Sequence, residues 1–153
     1  DAQYIIGLYY RSVEQNYKES LKWYLLAAEQ GNAKAQNNIG TYYYFGEGVE
    51  QDYSKAVVWF SKAAAQGFVI AQYNLGQCYY FGDGVAQNYV EAISWWRKAA
   101  EQGYVDGMYN LGVCYERGEG VELDYEDAVM WYRKAAYKGN DDAYRALDAL
   151  GAL

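Results

Sequence analysis

The chain has no histidine and only two cysteines in 153 residues. Mechanisms that need an imidazole, including Ser-His-Asp and Cys-His pairs, are therefore excluded, and metal ligands are limited to Cys78, Cys114 and the carboxylates. Asp106 and Glu116 are the carboxylates best placed for acid-base work, but neither has a burial signal or a partner at a defined spacing. Glu47, Asp83 and Glu119 sit in acidic loops that lack the tight run of oxygen ligands of a calcium loop, so capping and solvation explain them. The Gly-x-Gly-Val runs beginning at Gly46, Gly82 and Gly118 look like the opening of a phosphate loop. No strand precedes them, however, and no Gly-Lys-Ser or Gly-Lys-Thr follows.

Composition limits the partners. Thirteen Lys plus Arg against 20 Asp plus Glu give a net charge of -7, with no basic patch, so neither nucleic acid nor an anionic membrane surface is expected to bind. The longest apolar stretches, such as 56–60, fall far short of the roughly 18 residues that a membrane span requires. No signal peptide or charged leader is recognised. The chain opens on Asp1 rather than Met, the expectation for an excised or processed segment, and the compartment is left unassigned.

What positions these residues is a repeat. Gly40, Gly76 and Gly112 lie 36 residues apart, and the same spacing links Asn38, Asn74 and Asn110; Tyr43, Tyr79 and Tyr115; Trp59, Trp95 and Trp131; Lys62, Lys98 and Lys134; and Gly67, Gly103 and Gly139. Units therefore run 33–68, 69–104 and 105–140. A first copy, 1–32, is three loop residues shorter, and a partial terminal helix, 141–153, begins a fifth.

Each unit reads as two helices around a glycine-marked loop. Asn16, Asp52, Asn88 and Asp124 are N-caps for the second helix, and Gly31, Gly67, Gly103 and Gly139 close it in a left-handed conformation. Ala56, Trp59, Phe60 and Ala63 give that helix a buried stripe, as Ala35, Ile39, Tyr42 and Tyr43 give the first. One pair cannot bury both faces alone, so pairs must stack. Gly40 with Ala56 and Gly76 with Ala92 are expected to allow close helix approach, with Trp59, Trp95 and Trp131 filling the space between pairs. The fold class is all-α: a right-handed α-solenoid of four antiparallel helix pairs plus a partial C-terminal helix, forming one domain over 1–153.

The pattern Ala-x-x-x-Leu-Gly-x-x-Tyr, then Gly-x-Gly-Val, then Ala-x-x-Trp and Lys-Ala-Ala-x-x-Gly resembles the Sel-one-like repeat (SLR), a relative of the tetratricopeptide repeat. Residues 69–104 carry nearly all of it, from Ala71, Leu75, Gly76 and Tyr79 through Gly82, Gly84 and Val85 to Ala92, Trp95, Lys98, Ala99, Ala100 and Gly103. Gly107 departs from the Ala of the other units, and Asp148 stands where the family has Gly. The resemblance implies an adaptor whose superhelix offers a concave surface, lined by the first helices, to a protein or peptide.

Removing the core stripe from the first helices leaves a face with few charges and many amides and phenols. Its candidate partner-binding residues are Asn37, Asn38, Thr41, Tyr44, Tyr73, Asn74, Gln77, Tyr80, Tyr109, Asn110 and Arg117. The Asn column at 38, 74 and 110 either offers donor and acceptor to a peptide backbone or bonds within its own scaffold; the Tyr residues either bring amphipathic contact area or pack the repeat. Cys78 and Cys114 share one register, about 10 Å apart in a stacked array and so beyond the roughly 7 Å disulfide limit. They read as small buried apolar side chains, and the one-disulfide-per-repeat pairing of some cysteine-rich relatives is missing.

Some relatives in the resembled family interact with penicillin, which raises a hydrolase as the rival class. Of Ser12, Ser20, Ser54, Ser61 and Ser94, none is followed three positions later by Lys, so the Ser-x-x-Lys nucleophile is absent. The expectation is a non-catalytic interaction scaffold that needs no cofactor and no metal. A structural segment of a longer array and end-to-end self-association through exposed terminal helices are the alternatives.

Overall fold

A computed structural model describes residues 2–153; Asp1, the first residue of the first unit, lies outside them. Among the described residues the chain forms nine helices and no strand: α1 (Ala2–Ser12), α2 (Tyr17–Glu29), α3 (Ala33–Phe45), α4 (Tyr53–Ala65), α5 (Val69–Phe81), α6 (Tyr89–Glu101), α7 (Val105–Arg117), α8 (Tyr125–Tyr137) and α9 (Asp141–Ala149). Substantial packing links each helix to its neighbours in the chain, pair after pair, which is the architecture of an α-solenoid.

The helix ends follow from single residues. The Asn16, Asp52, Asn88 and Asp124 side chains accept from the backbone N–H groups of Glu19, Lys55, Glu91 and Asp127 at 2.9–3.1 Å. The first helices α3, α5 and α7 stop at Gly46, Gly82 and Gly118, all left-handed. The second glycine of each loop has a different task. At Gly84, with φ +72°, an added Cβ would lie 2.4 Å from the Tyr53 carbonyl carbon, so the loop of one repeat rests on the start of α4 in the repeat before it. The shortened first loop has no glycine, and Gln15 adopts the positive φ instead.

The core differs from expectation in two columns, the lesser being that of Tyr43, which is only half-buried. Ala35, Ile39, Tyr42, Ala56 and Ala63 are fully buried, but Trp59 and Trp95 are only half-buried, and each has a lysine ammonium over its ring, Lys62 at 4.3 Å and Lys98 at 4.1 Å. The deep aromatic is the next residue: Tyr24, Phe60, Trp96 and Tyr132, all at most 3% exposed. Each lies against the glycine of its own first helix, Gly7, Gly40, Gly76 and Gly112. Glycine is needed there because an aromatic ring, not the expected alanine, occupies the space. Trp131 alone of its column is buried, where α9 covers α8.

Cys78 and Cys114 are free, fully buried thiols. In the same register Tyr42 places its phenol 2.9 Å from the Ser20 hydroxyl, which itself bonds to the Gly7 carbonyl.

Candidate functional site

Two depressions lie along the face formed by α3, α5 and α7. The first, about 170 Å³, is lined by Thr41, Tyr44, Phe45, Phe60, Asn74 and Gln77. The second, about 320 Å³, is lined by Gln77, Tyr80, Phe81, Trp96, Tyr109, Asn110, Val113 and Arg117. They are one motif repeated: Thr41, Tyr44, Phe45 and Phe60 of the first become Gln77, Tyr80, Phe81 and Trp96 of the second, and Gln77 belongs to both.

Eight of the eleven expected contact residues line these depressions: Thr41, Tyr44, Asn74, Gln77, Tyr80, Tyr109, Asn110 and Arg117. Asn37, Asn38 and Tyr73 do not. Asn37 is buried at 6% exposure rather than lying on an open face, and its Oδ1 accepts from Asn74 Nδ2 at 3.1 Å. Asn38 sits beside the Tyr24 phenol. The Tyr73 hydroxyl accepts from Gln77 Nε2, while its backbone carbonyl accepts from Trp96 Nε1 at 3.2 Å. Within the Asn column Asn74 therefore joins α5 to α3, one of its amide N–H groups donating to the scaffold.

The phenols are anchored too. Tyr44 donates to Asp83 Oδ2 and Tyr80 to Glu119 Oε2, both at 2.6 Å, so a first-helix tyrosine latches onto the acidic loop residue of the following repeat. In the fourth unit the register holds Glu116, which instead accepts from Tyr132. Burial, followed by the hydrogen bond and charge of its acid, pushes Tyr80 up to about 12 and raises Tyr44 still further above the usual phenol value. Tyr73 is raised by burial and by Asp106, an effect that hydrogen bonds from Asn110 and Gln77 oppose. The Arg117 guanidinium loses some hydration, but Tyr80 and Glu119 outweigh that and raise it.

Phe45 and Phe81, which fall on the first-helix face outside the core stripe but not among the expected contacts, stand 65% and 60% exposed at the rims of the two depressions. Their signal was their register: each ends its first helix one residue after a latching tyrosine. A glutamine ladder was also missed. Gln30 donates to Gln3, Gln66 to Gln36 and Gln102 to Gln72, each at 2.8 Å, at positions that the repeat spacing itself relates. Met108 and Lys138 break it in the fourth unit.

Among the described residues no group of three or more His, Cys, Asp or Glu is placed to hold a metal ion, and no helix is long and apolar enough to cross a membrane.

Comparison with known proteins gives a consistent picture. The family described as Sel1 repeat matches residues 1–32, 33–68, 69–104 and 105–140. No curated protein matches the chain. Among solved structures, c5321, described as a protective antigen present in uropathogenic Escherichia coli strains and displaying an SLR fold, is 42% identical with a TM-score of 0.91, over 93% of this chain and 31% of that one. A Sel1 repeat protein from Oxalobacter formigenes is 38% identical with a TM-score of 0.85, over 92% of this chain and 58% of that one. Cysteine rich protein B of Helicobacter pylori shares the fold, at 24% identity and a TM-score of 0.65 over 85% of this chain and 96% of that one. The chain thus spans under a third of the first of these proteins and a little over half of the second.

Proposed function

The chain belongs to the Sel1 repeat family, whose members are generally protein-interaction scaffolds and typically non-catalytic, and on that premise we propose that it is an adaptor holding a segment of another polypeptide along the concave α3–α5–α7 face. The observation that carries this reading is the pair Phe45 and Phe81. Two large apolar rings, one repeat apart, stand mostly in solvent beside depressions whose linings are uncharged apart from Arg117. Thr41, Tyr44, Asn74, Gln77, Tyr80, Tyr109, Asn110 and Arg117 are the proposed contacts; Asn37, Asn38 and Tyr73 support them from behind.

No catalytic role is assigned. Asp106 is exposed, and Glu116 is engaged by Tyr132. The test is affinity capture from the native source with the intact chain and with Phe45→Ser/Phe81→Ser. Both substitutions lie at exposed positions and should leave the melting transition unchanged. Loss of a partner that the intact chain retains is the expected result; equal retention by the folded double variant overturns the reading.

A second reading has its own observation. Tyr137, Tyr144 and Leu153, at 93%, 58% and 62% exposure, surround a depression of about 300 Å³ at the α8–α9 end. That surface suits further helices, either of a longer array or of a second copy. A solution mass that rises with concentration, and falls to the monomer for Tyr137→Ser/Tyr144→Ser, is the expected result for self-association.

A further inference from the structure

We propose that the groove takes a basic peptide segment in a polyproline-II-like conformation, with apolar side chains three positions apart seated in the two depressions. This rests on the reading of the α3–α5–α7 face as a polypeptide-binding groove and specifies what it binds.

Spacing gives the conformation. The two depressions are the same site displaced by one repeat, and the direct Asn74–Asn37 hydrogen bond shows α3 and α5 to be neighbours. Packed neighbouring helices lie roughly 10 Å apart. A polyproline-II segment returns to the same side every third residue after about 9 Å, whereas a pleated strand returns every second residue after only about 7 Å. The first therefore places consecutive same-side residues in consecutive depressions.

Hydrogen-bond polarity gives the backbone chemistry. Asn74 and Gln77 direct their amide N–H groups to Asn37 and Tyr73, and Tyr44 and Tyr80 direct their hydroxyl protons to Asp83 and Glu119. One N–H of each amide and the proton of each phenol are spent on the scaffold. The carbonyl oxygens of Asn74 and Gln77 take no part in those bonds and can accept from a peptide N–H. A polyproline-II backbone makes no internal hydrogen bonds, so its N–H groups are free to supply one.

Charge gives the side chains. Asp83, Glu119 and Glu116 stand directly behind the lining tyrosines and Tyr132, against the one guanidinium of Arg117. Three carboxylates against one cation, on a chain of net charge -7, attract Lys and Arg and repel an acidic segment.

The test is selection of a random dodecapeptide library, displayed on phage, against the full chain. Selected peptides are expected to carry two apolar residues three positions apart with flanking Lys or Arg. Binding of a selected peptide should drop by roughly tenfold or more for Gln77→Lys, which places a cation where the depressions meet, and should hold or strengthen for Gln77→Glu. Phe81→Ser serves as a second variant should Gln77→Lys alter the melting transition. Peptides that are lost on Phe81→Ser yet are acidic, or carry another spacing, overturn this inference and leave the groove reading standing. Failure to select any peptide overturns both. A dimer in solution that Phe81→Ser converts to monomer makes a second copy the occupant and overturns the basic-peptide assignment.

Discussion

The ring of Trp96 lies so close to Gly76 that a Cβ on residue 76 would come within 2.5 Å of its Cδ1. Trp95, its neighbour in sequence, is half-buried beneath Lys98. The two tryptophans should therefore differ in cost when truncated. Trp96→Ala is expected to destabilise by about 3–5 kcal/mol and Gly76→Ala, by overpacking, by about 1–3 kcal/mol. Trp95→Ala should cost about 1–2 kcal/mol, from partial burial and a lost cation–π contact. Equilibrium urea melts check the order; a Trp95→Ala cost equal to that of Trp96→Ala overturns it.

The Ser20–Tyr42 pair occurs where the next two repeats have Ala56 with Cys78 and Ala92 with Cys114. A buried phenol in a register otherwise held by a thiol needs a partner, and serine in the alanine register supplies it. Ser20→Ala is expected to cost about 1–3 kcal/mol by stranding the Tyr42 hydroxyl. Ser20→Ala/Tyr42→Phe should cost less than the sum of the two single changes, and strict additivity in a double-mutant cycle would show the two hydroxyls to be independent.

Alkaline pH should unfold the protein in a defined window. The phenols of Tyr42 and Tyr80 and the thiols of Cys78 and Cys114 are each pushed up to about 12, chiefly by burial. A group whose pKa is raised on folding holds its proton longer in the folded chain. Its contribution is whole below the unfolded value, about 8.5 for thiols and 10 for phenols, and is lost as pH rises through the folded value. Tm should therefore fall from about pH 9 onwards, most steeply between about 10 and 12. Tyrosinate absorbance followed alongside the melts checks this; Glu119→Gln, which removes a charge that raises Tyr80, should let that phenol ionise at lower pH.

Two glycines of similar φ should respond differently to the same change. Gly67, at +83°, has nothing within 4 Å of a built Cβ, whereas Gly84, at +72°, faces Tyr53 backbone at 2.4 Å. Gly67→Ala is expected to cost about 1–2 kcal/mol, the left-handed strain alone. Gly84→Ala must also push the loop off α4 and should cost roughly 3 kcal/mol or more. Thermal melts showing equal losses would remove the loop–helix contact from the account of stability.

Helix boundaries were readable because they depend on local chemistry: Asp52 and Asn88 cap as their types require, and Gly46 and Gly82 end helices where the left-handed conformation is needed. The repeat period likewise settled which helices stack. The period could not tell which of two adjacent aromatics, Trp95 or Trp96, points inward, since both lie within one turn and both recur as large side chains. Direction was also hidden for the amides. Asn74 and Gln77 fall in exposed register, yet their N–H groups turn sideways to Asn37 and Tyr73 on grounds of pairing that spacing does not record. The latches Tyr44–Asp83 and Tyr80–Glu119 join residues 39 apart, a separation set by how one loop lies over the preceding unit.

The tyrosine latch bears on how such an array can grow. Unit 69–104 presents on one side the acceptor that a preceding unit's tyrosine requires, Asp83, and on the other side the matching donor, Tyr80, while its glutamine pair, Gln102 to Gln72, closes within the unit. A tandem duplication of this unit would join to itself with that latch intact, Tyr80 of one copy meeting Asp83 of the next. Unit 105–140, with Glu116 in the tyrosine position, would leave the latch unmade at a duplicated seam. Lengthening by copying is thus open to the interior of this chain and obstructed at its fourth unit.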